Sequence, residues 1–188
     1  MKKILLLLLI LVLVVGCTEQ FKKGGTPLSD NGPEEIEESP TQEVKSNWQD
    51  IPLKDVATQK TFKISDFRGK PVLLESFAVW CPTCTKQQKN IKELHKIVGD
   101  DVVSISLDTD PNEDADYVNK HITENGFDWL YAISPKELAT GLIDEFGINV
   151  VNAPSAPVVL VCADGSTRFL GRGLKSVSEL QEEIKKGC

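Results

Sequence analysis

Trp80-Cys81-Pro82-Thr83-Cys84 is the part of this sequence best equipped for chemistry. Two cysteines separated by two residues can close a small disulfide ring. At a helix start, the free N–H groups and the helix dipole favour a thiolate on the first of them. Cys81 is then a nucleophile for thiol-disulfide exchange, and Cys84, one turn further in, is the resolving thiol that attacks a mixed disulfide held on Cys81. Pro82 costs no hydrogen bond in a first helical turn and stiffens the loop. The same pair could be half of a zinc site, but a second CxxC or a close Cys/His pair is missing and the only histidines are His95 and His121. An inert structural disulfide is the remaining alternative.

The surrounding pattern supplies the elements that would hold such a pair. Val72 to Val79 is a nearly continuous apolar run, the look of a strand covered on both faces. Cys84, Ile91, Leu94 and Val98 recur at helical spacing from Pro82 onward, with Gly99 as the stop. An extended Ile51-Pro52-Leu53 segment and the alternating Lys60 to Ile64 predict an N-terminal hairpin before this unit. Val102 to Leu107 predicts a second buried strand, and Asp110-Pro111 a cap and first turn for a helix to about Glu124. Trp129 to Ile133 is a short strand candidate, and Ser134-Pro135-Lys136-Glu137 has the form of a capping box for a helix ending at Gly147. Val158 to Cys162 and Thr167 to Leu170, joined at Asp164-Gly165, predict a hairpin. Ser176 and Glu179 form a second capping box before a final helix. The fold class is α/β with a mixed sheet.

The segment Gly69-Lys70-Pro71-Val72-Leu73-Leu74-Glu75-Ser76-Phe77-Ala78-Val79-Trp80-Cys81-Pro82-Thr83-Cys84 resembles the strand and active-site helix of the thioredoxin superfamily. With the hairpin over Leu53 to Arg68 and the leader described below, the closer resemblance is to membrane-tethered extracytoplasmic thiol-disulfide oxidoreductases, including those serving cytochrome c maturation. Peroxiredoxins share the hairpin, but their Pro-x-x-x-Thr-x-x-Cys pattern is not present around Cys81. The resemblance implies a three-layer thioredoxin-like fold over residues 48–188, with a central mixed sheet and helices on both faces. It implies no cofactor beyond the Cys81–Cys84 disulfide.

The resemblance also assigns roles to single positions. Glu75 falls where thioredoxins carry a buried acid that relays a proton to and from the resolving cysteine. A carboxylate inside an apolar strand is costly unless paired, so a raised pKa follows. A cis-proline is implied opposite the CxxC, at the start of a strand whose preceding residue pairs with substrate. Asn152-Ala153-Pro154-Ser155-Ala156-Pro157 offers Pro154 and Pro157. Pro157 is the choice, because a proline inside an internal strand is disfavoured. Trp80, Pro82, Thr83, Ala156 and Pro157 then form the expected substrate-docking surface.

Lys2 and Lys3 precede twelve consecutive apolar residues, Ile4 to Val15. That is too short for a membrane span of about 20 residues and has the form of a signal peptide, residues 1–16. Val14-Val15-Gly16-Cys17 resembles a lipobox, making Cys17 the lipidation site and the membrane anchor. Residues 17–47 hold two glycines in tandem, three prolines and the acids Glu34, Glu35, Glu37 and Glu38, and are expected to form a flexible tether. The chain is expected to be exported and held as a lipoprotein on the outer face of the cytoplasmic membrane. Of the five cysteines, Cys162 and Cys188 remain. The topology sends both toward the pole opposite Cys81, where they pair or stay as two free thiols.

With 28 acidic against 21 basic residues and a net charge of −7, nucleic-acid binding is not expected, since it draws on Lys and Arg neutralising phosphates. His95, His121, Trp48 and Trp129 attract no chemical role. The resemblance thus implies a protein-disulfide reductase acting on protein thiol and disulfide substrates and recycled by a membrane electron donor. The alternatives are an oxidase or isomerase of the same fold, or a carrier of a soft metal such as Cu(I). The last is poorly supported by a chain whose one methionine is Met1.

Overall fold

The structure, a computed structural model, describes residues 47–188. The leader, Cys17 and the tether up to residue 46 lie outside the described residues. Asn47 accepts a hydrogen bond from the Gln49 N–H and caps a 3-10 turn over Trp48–Asp50. Two short antiparallel strands follow, β1 (Leu53–Lys54) and β2 (Thr61–Phe62), forming the expected hairpin as a separate two-stranded sheet.

The main sheet has five strands in the order β5-β4-β3-β6-β7. At its centre is β3 (Val72–Phe77), every residue of which is buried. It pairs in parallel with β4 (Val103–Asp108), which pairs in parallel with β5 (Leu130–Ile133). On its other side β3 pairs antiparallel with β6 (Val158–Val161), which turns at Asp164-Gly165 into β7 (Thr167–Phe169). The register sets Glu75 beside Ser106 on one neighbour and Val158 on the other.

Side-chain alternation along β3 divides the core. Val72 and Leu74 pack with Trp48, Leu138 and Leu142 on one face. Leu73 and Phe77 face the other way, toward Ile91, Leu94 and Leu180 and toward Val118 and Ile122 respectively. Helices α1 (Pro82–Val98), α2 (Ala115–Asn125) and α4 (Val177–Lys186) therefore cover the face onto which Glu75 points, and α3 (Lys136–Phe146) covers the opposite face.

Two helix starts differ from expectation. The cap of α2 is Asp114, not Asp110, and its carboxylate accepts from the Asp116 and Tyr117 N–H groups. Asp110 instead bonds the Asn112 N–H and a side chain of the neighbouring loop. The Ser134 capping box does not form: α3 starts one residue later, with Pro135 at the cap and no side-chain cap bond. The Ser176–Glu179 box forms in both directions, at 3.2 and 2.7 Å. Between α3 and β6 the chain makes two 3-10 turns, Ile148–Val151 and Ala153–Ser155.

Candidate active site

At the carboxyl end of β3 the chain leaves the sheet through Ala78-Val79-Trp80, and Cys81 becomes the N-cap of α1 with Pro82 in the first turn. The Cys84 N–H donates to Cys81 Sγ at 3.1 Å, so a group the helix cannot satisfy itself is spent on this sulfur. Cys81 and Cys84 are joined as a disulfide, with their Cα atoms 5.3 Å apart. A backbone donor and the positive end of a 17-residue helix both stabilise negative charge on Cys81 once the bond opens.

Both cysteines are 1% exposed. The cover is the second 3-10 turn: the Ala153 carbonyl oxygen lies 2.8 Å from Cys84 Sγ and 3.5 Å from Cys81 Sγ. Here the structure corrects the resemblance. No peptide bond among the described residues is cis, so the bonds before Pro154 and Pro157 are both trans. The chain is redirected instead by Ala156, which sits in the left-handed region at φ 43° and ψ 59° and donates its N–H to the Ala153 carbonyl at 2.9 Å. Ala156 and Pro157 are buried beneath the turn, and the Pro157 carbonyl accepts the Ser76 N–H at 3.2 Å. Of the expected docking residues, Trp80 and Pro82 are exposed and Thr83 is half-buried, while Pro154 takes the surface position next to the disulfide.

Glu75 is fully buried under α1, and burial pushes its pKa up to about 8. Ser106, whose hydroxyl donates to Glu75 Oε2 at 3.1 Å, opposes that rise, as do the Gln88 amide and, more weakly, the Lys175 charge. Ser106 in turn accepts from the Trp129 indole at 3.0 Å. Lys175, whose pKa burial lowers, spends its ammonium on the Gly171 and Gly173 carbonyls, both at 2.9 Å. With that pKa the carboxyl is largely protonated at neutral pH.

A second acidic group, missed in the sequence, closes on the loop before Cys81. Glu113 accepts the Val79 N–H at 2.7 Å, and Asp110 accepts the Trp80 indole N–H at 2.6 Å. Asp108, 1% exposed at the end of β4, accepts the Asp110 N–H at 3.0 Å. Burial, with Glu113 and Asp110 adding to it, raises the Asp108 pKa to about 7. Asp110-Pro111 read as a helix cap, and nothing in the spacing signalled that these acids return to Trp80.

Cys162, just past β6, and Cys188 are joined with Cα atoms 6.0 Å apart. They lie near the amino end of β3, since Val161 pairs with Val72. His95 bonds Ser104 at 2.9 Å and stacks on Trp129. Among the described residues no cluster of His, Cys, Asp and Glu could hold a metal ion, and no helix is long and apolar enough to cross a membrane.

Solved structures similar to this chain share its fold. One is a secreted Mycobacterium tuberculosis disulfide oxidoreductase described as homologous to Escherichia coli DsbE, 15% identical, with a TM-score of 0.59 over 74% of this chain and 97% of that one. Another is M. tuberculosis DsbF, 16% identical, with a TM-score of 0.60 over 74% and 96%. A third is a thiol:disulfide interchange protein of the thioredoxin family from Chlorobium tepidum, 19% identical, with a TM-score of 0.58 over 73% and 92%. The sequence profile of one family, described as Redoxin, matches residues 40–182. That match, together with a paired Cys81–Cys84 at a helix start, makes this chain a thiol-disulfide oxidoreductase belonging to the redoxin family.

Proposed function

We propose that the protein is a lipid-anchored extracytoplasmic reductase of protein disulfides. The observation that carries the chemistry is Cys81 at the N-cap of α1 with the Cys84 N–H on its sulfur. In the dithiol form the Cys81 thiolate attacks one sulfur of a substrate disulfide, forming a mixed disulfide and releasing one substrate thiolate. Cys84 gives its proton to Glu75 in the fraction of molecules where that carboxyl is ionised, and attacks Cys81 Sγ. The Cys81–Cys84 bond closes and the second substrate thiolate leaves. With a Glu75 pKa of about 8, the oxidised protein keeps the proton it received. A membrane dithiol donor then supplies two electrons, and Glu75 returns the proton to Cys84.

Trp80, Pro82 and Thr83 present the docking surface, and a substrate reaches Cys81 by displacing the Ala153–Ser155 turn. The reductive direction draws on the resemblance to tethered reductases, and the anchored location on the Lys2-Lys3 leader and Cys17.

The test is trapping. With Cys84→Ser, exported partner proteins should accumulate in reducible adducts on Cys81, and a Cys81→Ser, Cys84→Ser control should hold none. Absence of adducts would remove the exchange mechanism. A potential near that of strong disulfide oxidants would reverse the direction, and an intact mass without lipid on Cys17 would remove the anchor.

A further inference from the structure

Between α1 and α2, His121 Nε2 and Gln88 Oε1 lie 2.6 Å apart. Gln88 is 0% and His121 5% exposed. An amide oxygen only accepts, so His121 must carry its proton on Nε2. Its Nδ1 faces the Asn125 side-chain amide at 3.4 Å, a donor, so that nitrogen is bare and the ring neutral. Burial, which holds the His121 pKa below the usual histidine range, agrees with this. With its oxygen committed to His121, Gln88 has only its amide nitrogen left to offer. That nitrogen is buried without a hydrogen bond at ordinary distance, and so is Glu75 Oε1. Gln88 is nonetheless close enough to Glu75 to favour its charged form. One helical turn separates Gln88 from Cys84, on the same face of α1.

We propose that His121 and Gln88 are positioning residues for Glu75. His121 fixes the amide so that N–H, not C=O, faces the carboxyl, a donor held ready for the moment Glu75 ionises. A flipped amide would set its oxygen against the carboxylate and its NH2 against the His121 N–H, leaving both ends repulsive. All the donors run one way, from Asn125 through His121 and Gln88 to Glu75, and such chains strengthen one another. The other ionisable groups facing Glu75 are Lys175, from the loop before α4, and Tyr131 on β5. The role in exchange rests on Glu75 being the proton shuttle proposed above.

The test is carbon-13 NMR of the full-length oxidised protein labelled at glutamate carboxyls, the Glu75 signal being the one lost in Glu75→Gln. Gln88→Met, similar in size but without the amide, should raise the Glu75 midpoint by about one unit. His121→Leu should raise it by less, and His121→Gln, which can still donate to the Gln88 oxygen, should restore it. An unmoved midpoint in Gln88→Met overturns the proposal, and this variant decides alone if His121→Leu does not fold. An unmoved midpoint in a folded His121→Leu overturns the part given to His121. The readout does not depend on catalysis. If Glu75→Gln resolves mixed disulfides at the normal rate while the midpoint still shifts, the shuttle falls and the positioning stands.

Discussion

Cys84 Sγ rests 2.8 Å from the Ala153 carbonyl oxygen, while the Cys81 sulfur accepts the Cys84 N–H at 3.1 Å. The same carbonyl stands farther from Cys81 Sγ, at 3.5 Å, so the two sulfurs meet unequal environments. After reduction, a Cys84 thiol has a carbonyl to donate to, which favours its protonated form, and Cys81 has a donor that favours the thiolate. At pH 7 the reduced protein should react with iodoacetamide at Cys81 at least about tenfold faster than at Cys84, a difference worth about 1.4 kcal/mol. Peptide mass analysis after brief labelling reads the ratio, and equal labelling would contradict the asymmetry.

Glu75 should make the fold more stable in acid than in base. Its pKa is about 8 when folded against 4.5 as a free group. Between those values the folded protein holds a proton that the unfolded chain has released, so stability falls as pH rises, and the full penalty is present above about 8. The penalty is on the order of 5 kcal/mol. Urea unfolding from pH 5 to 9 should show this decline in the wild type and a shallower one in Glu75→Gln, which should be the more stable of the two at pH 9.

Asp108 carries the same sign over a lower window, from 3.8 to about 7. As it ionises, three carboxylates crowd the loop that holds Val79 and Trp80. Asp108→Asn keeps an oxygen for the Asp110 N–H and cannot ionise. Tryptophan emission should show a transition near pH 7 in the wild type that is absent in Asp108→Asn and in Trp80→Phe. A transition unchanged in Asp108→Asn would assign it elsewhere.

Gly141 on α3 is where Trp48 closes over the helix, with its indole N–H on Glu145 at 2.6 Å. A β-carbon at 141 would stand 2.6 Å from Trp48 Cβ. Alanine favours helix over glycine by about 1 kcal/mol, yet Gly141→Ala should destabilise by roughly 1 to 3 kcal/mol, because overpacking against the Trp48 β-carbon, which cannot swing aside like the end of a flexible side chain, outweighs propensity. Thermal or urea unfolding gives the sign directly.

Opening the Cys162–Cys188 bond with Cys188→Ser frees a link between residues 26 apart. Loop entropy puts the loss at about 3.5 kcal/mol. The exchange rate at Cys81 should be unchanged, and a matching loss of activity would tie the two ends of the domain together.

Much of this was readable from pattern, for reasons visible at particular residues. The buried run at Val72, the proline-started helix at Pro82 and the Ser176–Glu179 box are local signals whose partners lie within one turn or one strand. Glu75 was legible through the resemblance, which implies a buried acid there, and its raised pKa through the apolar strand around it. The acids at Asp108, Asp110 and Glu113 were not, because Asp110-Pro111 satisfies the local rules for a cap equally well and only the β4 register brings it to Trp80. His121 and Gln88 lie 33 positions apart. The turn at Ala153 follows from a left-handed alanine, a conformation that this residue type does not announce.

The two disulfides sit at opposite ends of β3, whose six residues alone span more than about 15 Å. Thiol-disulfide exchange needs sulfur against sulfur, so electrons arriving at Cys81 have no path through the folded domain to Cys162. Scrambling among the four cysteines is thereby blocked by distance. One end of the molecule can be charged and discharged repeatedly while the bond at the other end stays closed.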